Sequence, residues 1–251
     1  MTGGWVSIVG LGPGADGLIA PAAMDVINQA TDVIGYIPYV RRISPRPGLT
    51  LHASDNRVEL NRAQHALTLA RAGHKVAVVS SGDPGVFAMA SAVFEAVDHG
   101  PHMWRDIDIR VIPGITACLA AAATVGAPLG HDFCTINLSD NLKPAALIEK
   151  RIQLAIEGDF AMAFYNPRSK SRPEGFARAM DILRAKCEDD RIIIFARAVS
   201  TPDQTIRVVA LKDTTNDMAD MRTVVLVGSS ATRVIDRNGA PFVYTPRSVP
   251  V

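Results

Sequence analysis

The chain has 251 residues, 48% of them hydrophobic and 20% charged, with a formal net charge of +1. That length suits two domains of ordinary size, and the composition excludes a disordered chain. The near-zero charge argues against nucleic acid or an acidic membrane as a partner, and three cysteines without CxxC or Cys/His spacing argue against a disulfide framework or a zinc centre.

The N-terminal residues enter a strand pattern at once, with no basic stretch ahead of an apolar run, so a cytoplasmic location is expected. The apolar stretch 115–128 is too short and too rich in Ala and Gly to cross a bilayer. Apolar runs at 5–10, 32–36, 75–80 and 107–112 predict strands in the first half. Runs at 133–138, 160–165, 191–196, 205–211 and 223–228 do so in the second. Helices are expected near 20–30, 56–72, 85–98, 115–125, 144–157 and 173–187. Pro21, Pro144 and Pro173 stand near three helix starts, and Gly73 and Gly126 just beyond two ends. This alternation predicts an α/β fold, largely parallel in the first half. The Pro113-Gly114 break marks a boundary between domains at 1–115 and 116–251.

Three loops carry the chemistry. Gly10-Leu11-Gly12-Pro13-Gly14 follows the first strand and resembles the opening of a dinucleotide fingerprint, with Ala15 as the third small residue and Asp32 some twenty residues on. Two features oppose a nicotinamide site. Pro13 lacks an N–H where a diphosphate needs one, and Asp32 precedes the strand that it should close. Ser80 to Phe87 places Asp83 among Gly82, Pro84 and Gly85, where it either binds a hydroxyl or ammonium group or caps the next helix. Pro113 to Ala117 ends in Thr116, an N-cap or a ligand contact. All three follow strands, so they can converge on one sheet edge.

In this order GLGPG, SSGDPGVF, PGITA and then GAPLGHDF at 126–133 resemble the tetrapyrrole methylases. Leu138-Ser139-Asp140, the segment Tyr165-Asn166-Pro167-Arg168-Ser169-Lys170, and the run from Asp217-Met218 to Met221-Arg222-Thr223 extend the likeness along the whole chain. It is greatest to the branch that methylates C17 of a corrin precursor in cobalamin biosynthesis. The resemblance implies two α/β domains with S-adenosyl-L-methionine in the cleft between them, a tetrapyrrole substrate and a homodimer. Cofactor contacts are then implied at Pro13, Ser81, Gly82, Asp83, Val86, Thr116, Ala117 and Asn166, and at Ala198 within 196–200. The family's GPGD is departed from here, because Ala15 intervenes before Asp16.

A substrate with many acetate and propionate arms calls for cations. Arg41, Arg42, Arg46, Arg57 and Arg62 outnumber Asp55 and Glu59, and Arg168, Lys170 and Arg172 have no acidic sequence neighbour. Arg57, Arg168 and Lys170 are the implied substrate contacts. Methyl transfer from a sulfonium needs little proton traffic, but the ring contraction performed by this branch needs an acid and a base. His131 and Asp132, with Asp16, are the candidates, and Ser139-Asp140 is secondary. His131 could equally be a structural residue at a strand start. A cobalt-loaded ring, a nicotinamide oxidoreductase and a non-catalytic scaffold are the competing readings.

Overall fold

The computed structural model describes residues 3–55, 58–169 and 172–248, so Arg57 and Lys170 lie outside the described residues. The chain divides into two compact units, Met1–Thr116 and Ala117–Val251. Among the described residues no helix is long and apolar enough to cross a membrane.

In the first unit β1 (Trp5–Gly10), β2 (Asp32–Tyr36), β3 (Thr50–Ser54), β4 (Lys75–Ser80) and β5 (Asp108–Ile112) form one sheet in the order β3-β2-β4-β1-β5, parallel throughout. Between them lie α1 (Pro21–Gln29), α2 (Ile37–Val40), α3 (Glu59–Arg71) and α4 (Met89–His99). Apolar side chains leave both faces of the sheet, which is why its central strands are rich in Val and Ile rather than alternating with polar residues. Val6, Ile8, Val76 and Val78 pack on Ala63, Leu67 and Val93 on one face. Val9, Val33, Ala77 and Val79 pack on Ala23 and Ile27 on the other.

Two helices start later than expected. Glu59 rather than residue 56 opens α3, and Met89 rather than residue 85 opens α4. The delay before α4 has a local cause. Val86 N–H bonds the Asp83 carbonyl at 3.2 Å, and Phe87 has φ +53°, so 83–87 is a turn. Strand β3 was not expected. Its Thr50, His52 and Ser54 alternate with Leu51 and Ala53 in an edge strand of five residues that holds no continuous apolar run.

Asp32 begins β2 and is buried at the sheet's N-terminal edge. Its carboxylate accepts hydrogen bonds from His52 Nε2 (2.8 Å), His74 Nδ1 (2.7 Å) and the Thr31 hydroxyl (2.7 Å). Burial pushes this carboxyl up, but those bonds outweigh it and hold the group below the usual carboxylate range. His65 stacks edge-on against His52.

The second unit contains α5 (Ala117–Val125), β6 (Gly126–Ala127), β7 (Phe133–Asn137), α6 (Ala145–Glu157), β8 (Ala161–Tyr165), α7 (Glu174–Lys186), β9 (Ile192–Arg197), β10 (Thr205–Ala210), β11 (Thr223–Val227), β12 (Arg233–Ile235) and β13 (Phe242–Tyr244). Its main sheet has the order β10-β9-β11-β8-β7. Only β7 and β8 pair in parallel. β11 runs antiparallel to β8 and β9, and β10 antiparallel to β9. The C-terminal ends of β7, β8 and β9 therefore share an edge with the N-terminal ends of β10 and β11. Side chains of α6 and α7, among them Ile152, Phe176 and Leu183, cover one face, and the alanines of α5 cover the other. A small sheet, β12-β13-β6, was not expected from the sequence, its strands being two or three residues long.

Candidate active site

The loops after β1, β4 and β5 leave the C-terminal edge of the first sheet and lock together through backbone. Gly12 and Gly82 exchange two hydrogen bonds, 3.2 and 2.9 Å long, and Leu11 N–H bonds the Ser80 carbonyl at 2.8 Å. Behind this bridge Gly10, Gly82 and Gly114 press against one another. A Cβ on Gly114 would stand 2.2 Å from the Gly82 carbonyl oxygen, and one on Gly10 would stand 2.6 Å from the same atom. No side chain fits there, so glycine is required by packing. Asp83 fastens the assembly: one carboxylate oxygen accepts the Gly85 N–H at 2.8 Å, the other the Gly114 N–H at 3.0 Å. Thr116 is buried beside Gly82, while Pro13, Ser81 and Val86 are half-exposed around the same edge.

This geometry does not suit a diphosphate. Leu11 and Gly12 have spent their N–H groups, and Pro13 has none. A 3-10 turn at Asp16–Leu18 follows the loop, and α1 begins only at Pro21, so no helix N-terminus opens on it. Asp32 lies at the opposite edge, engaged with two histidines.

Two further groups border this edge. Asp16 is 88% exposed and pairs with Arg42 at 3.3 Å. Tyr39, just past β2, shares a hydrogen bond with Ser81, and burial pushes its phenol up from the ordinary value. Nearby Arg62 is buried and donates to Ser54 Oγ (3.0 Å), the Asp55 carbonyl (2.9 Å) and Met89 Sδ (3.3 Å). Tyr39 carried no sequence signal, because only the fold brings it to Ser81.

In the second unit the corresponding edge is made by side chains and strained backbone. Asn166, directly after β8, has φ +51°, and its amide donates to Asn137 Oδ1 at 3.1 Å; the same oxygen accepts Ser139 N–H at 2.9 Å. Ala198 and Ser200, after β9, have φ +49° and +62°. Each such residue costs roughly 1–2 kcal/mol. Local bonds sustain the strain: Ala198 N–H to the Arg222 carbonyl (2.8 Å), Ser200 N–H to Gln204 Oε1 (2.7 Å) and Thr201 Oγ1 to the Ala198 carbonyl (2.8 Å). Conformations of this kind gather at ligand sites. Tyr165 accepts the Cys118 N–H at 2.9 Å and so satisfies one free donor at the start of α5, just after Ala117. Arg168, without an acidic neighbour in sequence, has one in space. It donates to the Asn216 carbonyl at 3.4 Å and helps to hold Asp217 below the usual carboxylate range, chiefly the work of the Thr215 hydroxyl.

His131 and Asp132 are not brought to this edge. They precede β7, at its N-terminal end, and their side chains stand 3.7 Å apart and well exposed. Asp140 lies beyond the other end of β7 and pairs with Arg178 at 3.7 Å.

The model for the tetrapyrrole (corrin/porphyrin) methylases matches residues 6–215. Over 245 residues the chain is 49% identical to a precorrin-3B C(17)-methyltransferase from a Sinorhizobium species, covering 97% of this chain and 96% of that protein. It is 38% identical over 249 residues to a probable cobalt-factor III C(17)-methyltransferase of Salmonella typhimurium, covering 96% and 98%. A crystal structure of the methyltransferase CobJ is 63% identical, covers 97% of this chain and 100% of that one, and superposes with a TM-score of 0.93. The chain belongs to the tetrapyrrole (corrin/porphyrin) methylases.

Proposed function

We propose that this chain is a precorrin-3B C17-methyltransferase, which uses S-adenosyl-L-methionine to methylate C17 and contracts the ring to precorrin-4 in cobalamin biosynthesis. The observation that carries the reading is the 49% identity to the Sinorhizobium enzyme across 97% of the chain. The first unit's edge suits the donor chemically: a nucleoside bearing a sulfonium has no phosphate to satisfy, and at this loop the Leu11 and Gly12 N–H groups are spent and Pro13 has none. Pro13, Ser81, Gly82, Val86, Thr116, Ala117, Asn166 and Ala198 are assigned to hold it, and Asp83 to set the loop that does so.

When bound, the donor supplies an electrophilic methyl group. The protein's part is to hold the nucleophilic carbon in line and exclude water. Ring contraction adds two proton transfers, one from a substrate hydroxyl and one towards the opening lactone. Tyr39, protonated at neutral pH as any phenol is and hydrogen-bonded to Ser81, is assigned to donate, and Asp16 is assigned to accept. His131 and Asp132, at the other edge of their sheet, are assigned structural roles. Arg168 is assigned to a substrate carboxylate. A homodimer in the cytoplasm completes the reading, and light scattering tests the dimer.

The 38% identity to the Salmonella protein favours a second reading, in which the substrate ring carries cobalt. Incubation with S-adenosyl-L-methionine and either precorrin-3B or cobalt-factor III, under air and under nitrogen, separates the two by mass spectrometry. Methylation of precorrin-3B supports the first reading, methylation of the cobalt ring alone the second, and no methylation overturns both.

A further inference from the structure

Several arginines near the C-terminal edge of the second sheet have oxygen partners among the described residues. Arg197 Nε bonds Asp220 at 2.8 Å, Arg222 meets Asp203 at 3.2 Å, and Arg168 has the Asn216 carbonyl. Arg172 has no oxygen partner for its guanidinium among the described residues. One terminal nitrogen reaches only the Met221 sulfur, at 3.6 Å, and the other, Nη1, is buried with no hydrogen-bond partner. A thioether is a weak acceptor, so neither terminal nitrogen has a strong partner among the described residues. Its backbone is nonetheless fixed, exchanging hydrogen bonds of 3.3 and 3.2 Å with Ser169.

Arg62 in the first unit shows what a satisfied counterpart looks like. It too leans on a methionine sulfur, but its other nitrogens reach the Ser54 hydroxyl and the Asp55 carbonyl. Arg62 is complete within the fold and Arg172 is not. Arg172 as a whole is only half-buried, but its Nη1 is buried, and an orphaned buried donor costs a folded protein stability. A planar guanidinium with its donors unspent matches a carboxylate, which can accept two parallel N–H bonds.

We infer that Arg172 is a specificity-determining residue that pairs with a carboxylate of the bound ligand. The inference rests on the methylase reading, which supplies two sources of that group: the amino-acid end of S-adenosyl-L-methionine, or an acetate or propionate arm of the tetrapyrrole. No bond is made or broken at Arg172. It holds one end of the ligand while Met221 lies along its other nitrogen.

Arg172→Met and Arg172→Lys test this in the full-length protein. Without ligand, Arg172→Met removes the orphaned donor and raises the melting temperature by about 2–4 °C. The same change weakens S-adenosylhomocysteine in calorimetry, or raises the KM for precorrin-3B, by roughly 10–100-fold, and Arg172→Lys recovers part of the loss. Loss confined to S-adenosylhomocysteine assigns the carboxylate to the donor; loss confined to precorrin-3B assigns it to the substrate. A methionine variant that melts lower than wild type, keeps both affinities, or loses both by the same factor overturns the inference. Wild-type protein that neither binds S-adenosylhomocysteine nor methylates precorrin-3B overturns the methylase reading itself, before any variant is compared.

Discussion

The first sheet's C-terminal edge is assembled from backbone, and the second sheet's from side chains. In the first unit Gly10, Gly82 and Gly114 leave no room for a Cβ, and the one side chain that ties the loops, Asp83, spends itself on N–H groups. In the second unit non-glycine residues sit at positive φ, and amide and guanidinium groups do the fastening. A backbone edge tolerates no added atom. A side-chain edge tolerates changes of shape but responds to changes of polarity.

Adding one methyl to the first edge gives the largest expected effect. Gly114→Ala forces a Cβ onto the Gly82 carbonyl and destabilises the first unit by about 3–5 kcal/mol in denaturant unfolding. A loss under about 1 kcal/mol would show that the loops part easily.

Asp32→Asn tests whether the opposite edge of the same sheet is held by charge. It removes a buried carboxylate from two histidines and a threonine and costs about 2–3 kcal/mol at neutral pH. Because the folded carboxyl titrates below its unfolded value, this stability is complete above about pH 4 and disappears as pH falls through the lowered value. An acid-unfolding midpoint that the substitution leaves unmoved contradicts the assignment.

Asp83→Ala frees the Gly85 and Gly114 N–H groups and should weaken S-adenosylhomocysteine about 10–100-fold, or 1.5–3 kcal/mol. Calorimetry reads this directly, and an unchanged dissociation constant removes Asp83 from the account. Ala198→Gly, on the second edge, is the smallest. Relief of φ +49° offsets the lost methyl and the added chain freedom, so stability stays within about 0.5 kcal/mol of wild type. A full 1 kcal/mol loss, as for glycine in ordinary structure, would mean that the strain is not felt.

Much of this was legible in the sequence because the signals are local. Val- and Ile-rich runs marked β1, β2, β4, β9 and β11, an Ala/Met/Phe run marked β8, and the glycine loops marked where the first edge closes. What was not legible depends on residues that the fold brings together. His52 and His74 lie 20 and 42 positions from Asp32, and the short edge strand that carries His52 has no continuous apolar run to reveal it. The orphaned nitrogen of Arg172 exists only because Met221, rather than an acid, ends up beside it. His131 and Asp132 illustrate the converse, since neighbours in the chain formed a plausible pair that β7 carries to its other end.

The nature of the ligand at the first edge is tested most directly by equilibrium dialysis of the wild-type protein against S-adenosylhomocysteine and, in parallel, NADPH. Spent N–H groups around Gly12 and Pro13 predict retention of the thioether nucleoside and none of the dinucleotide. Retention of NADPH with no uptake of S-adenosylhomocysteine would contradict the account.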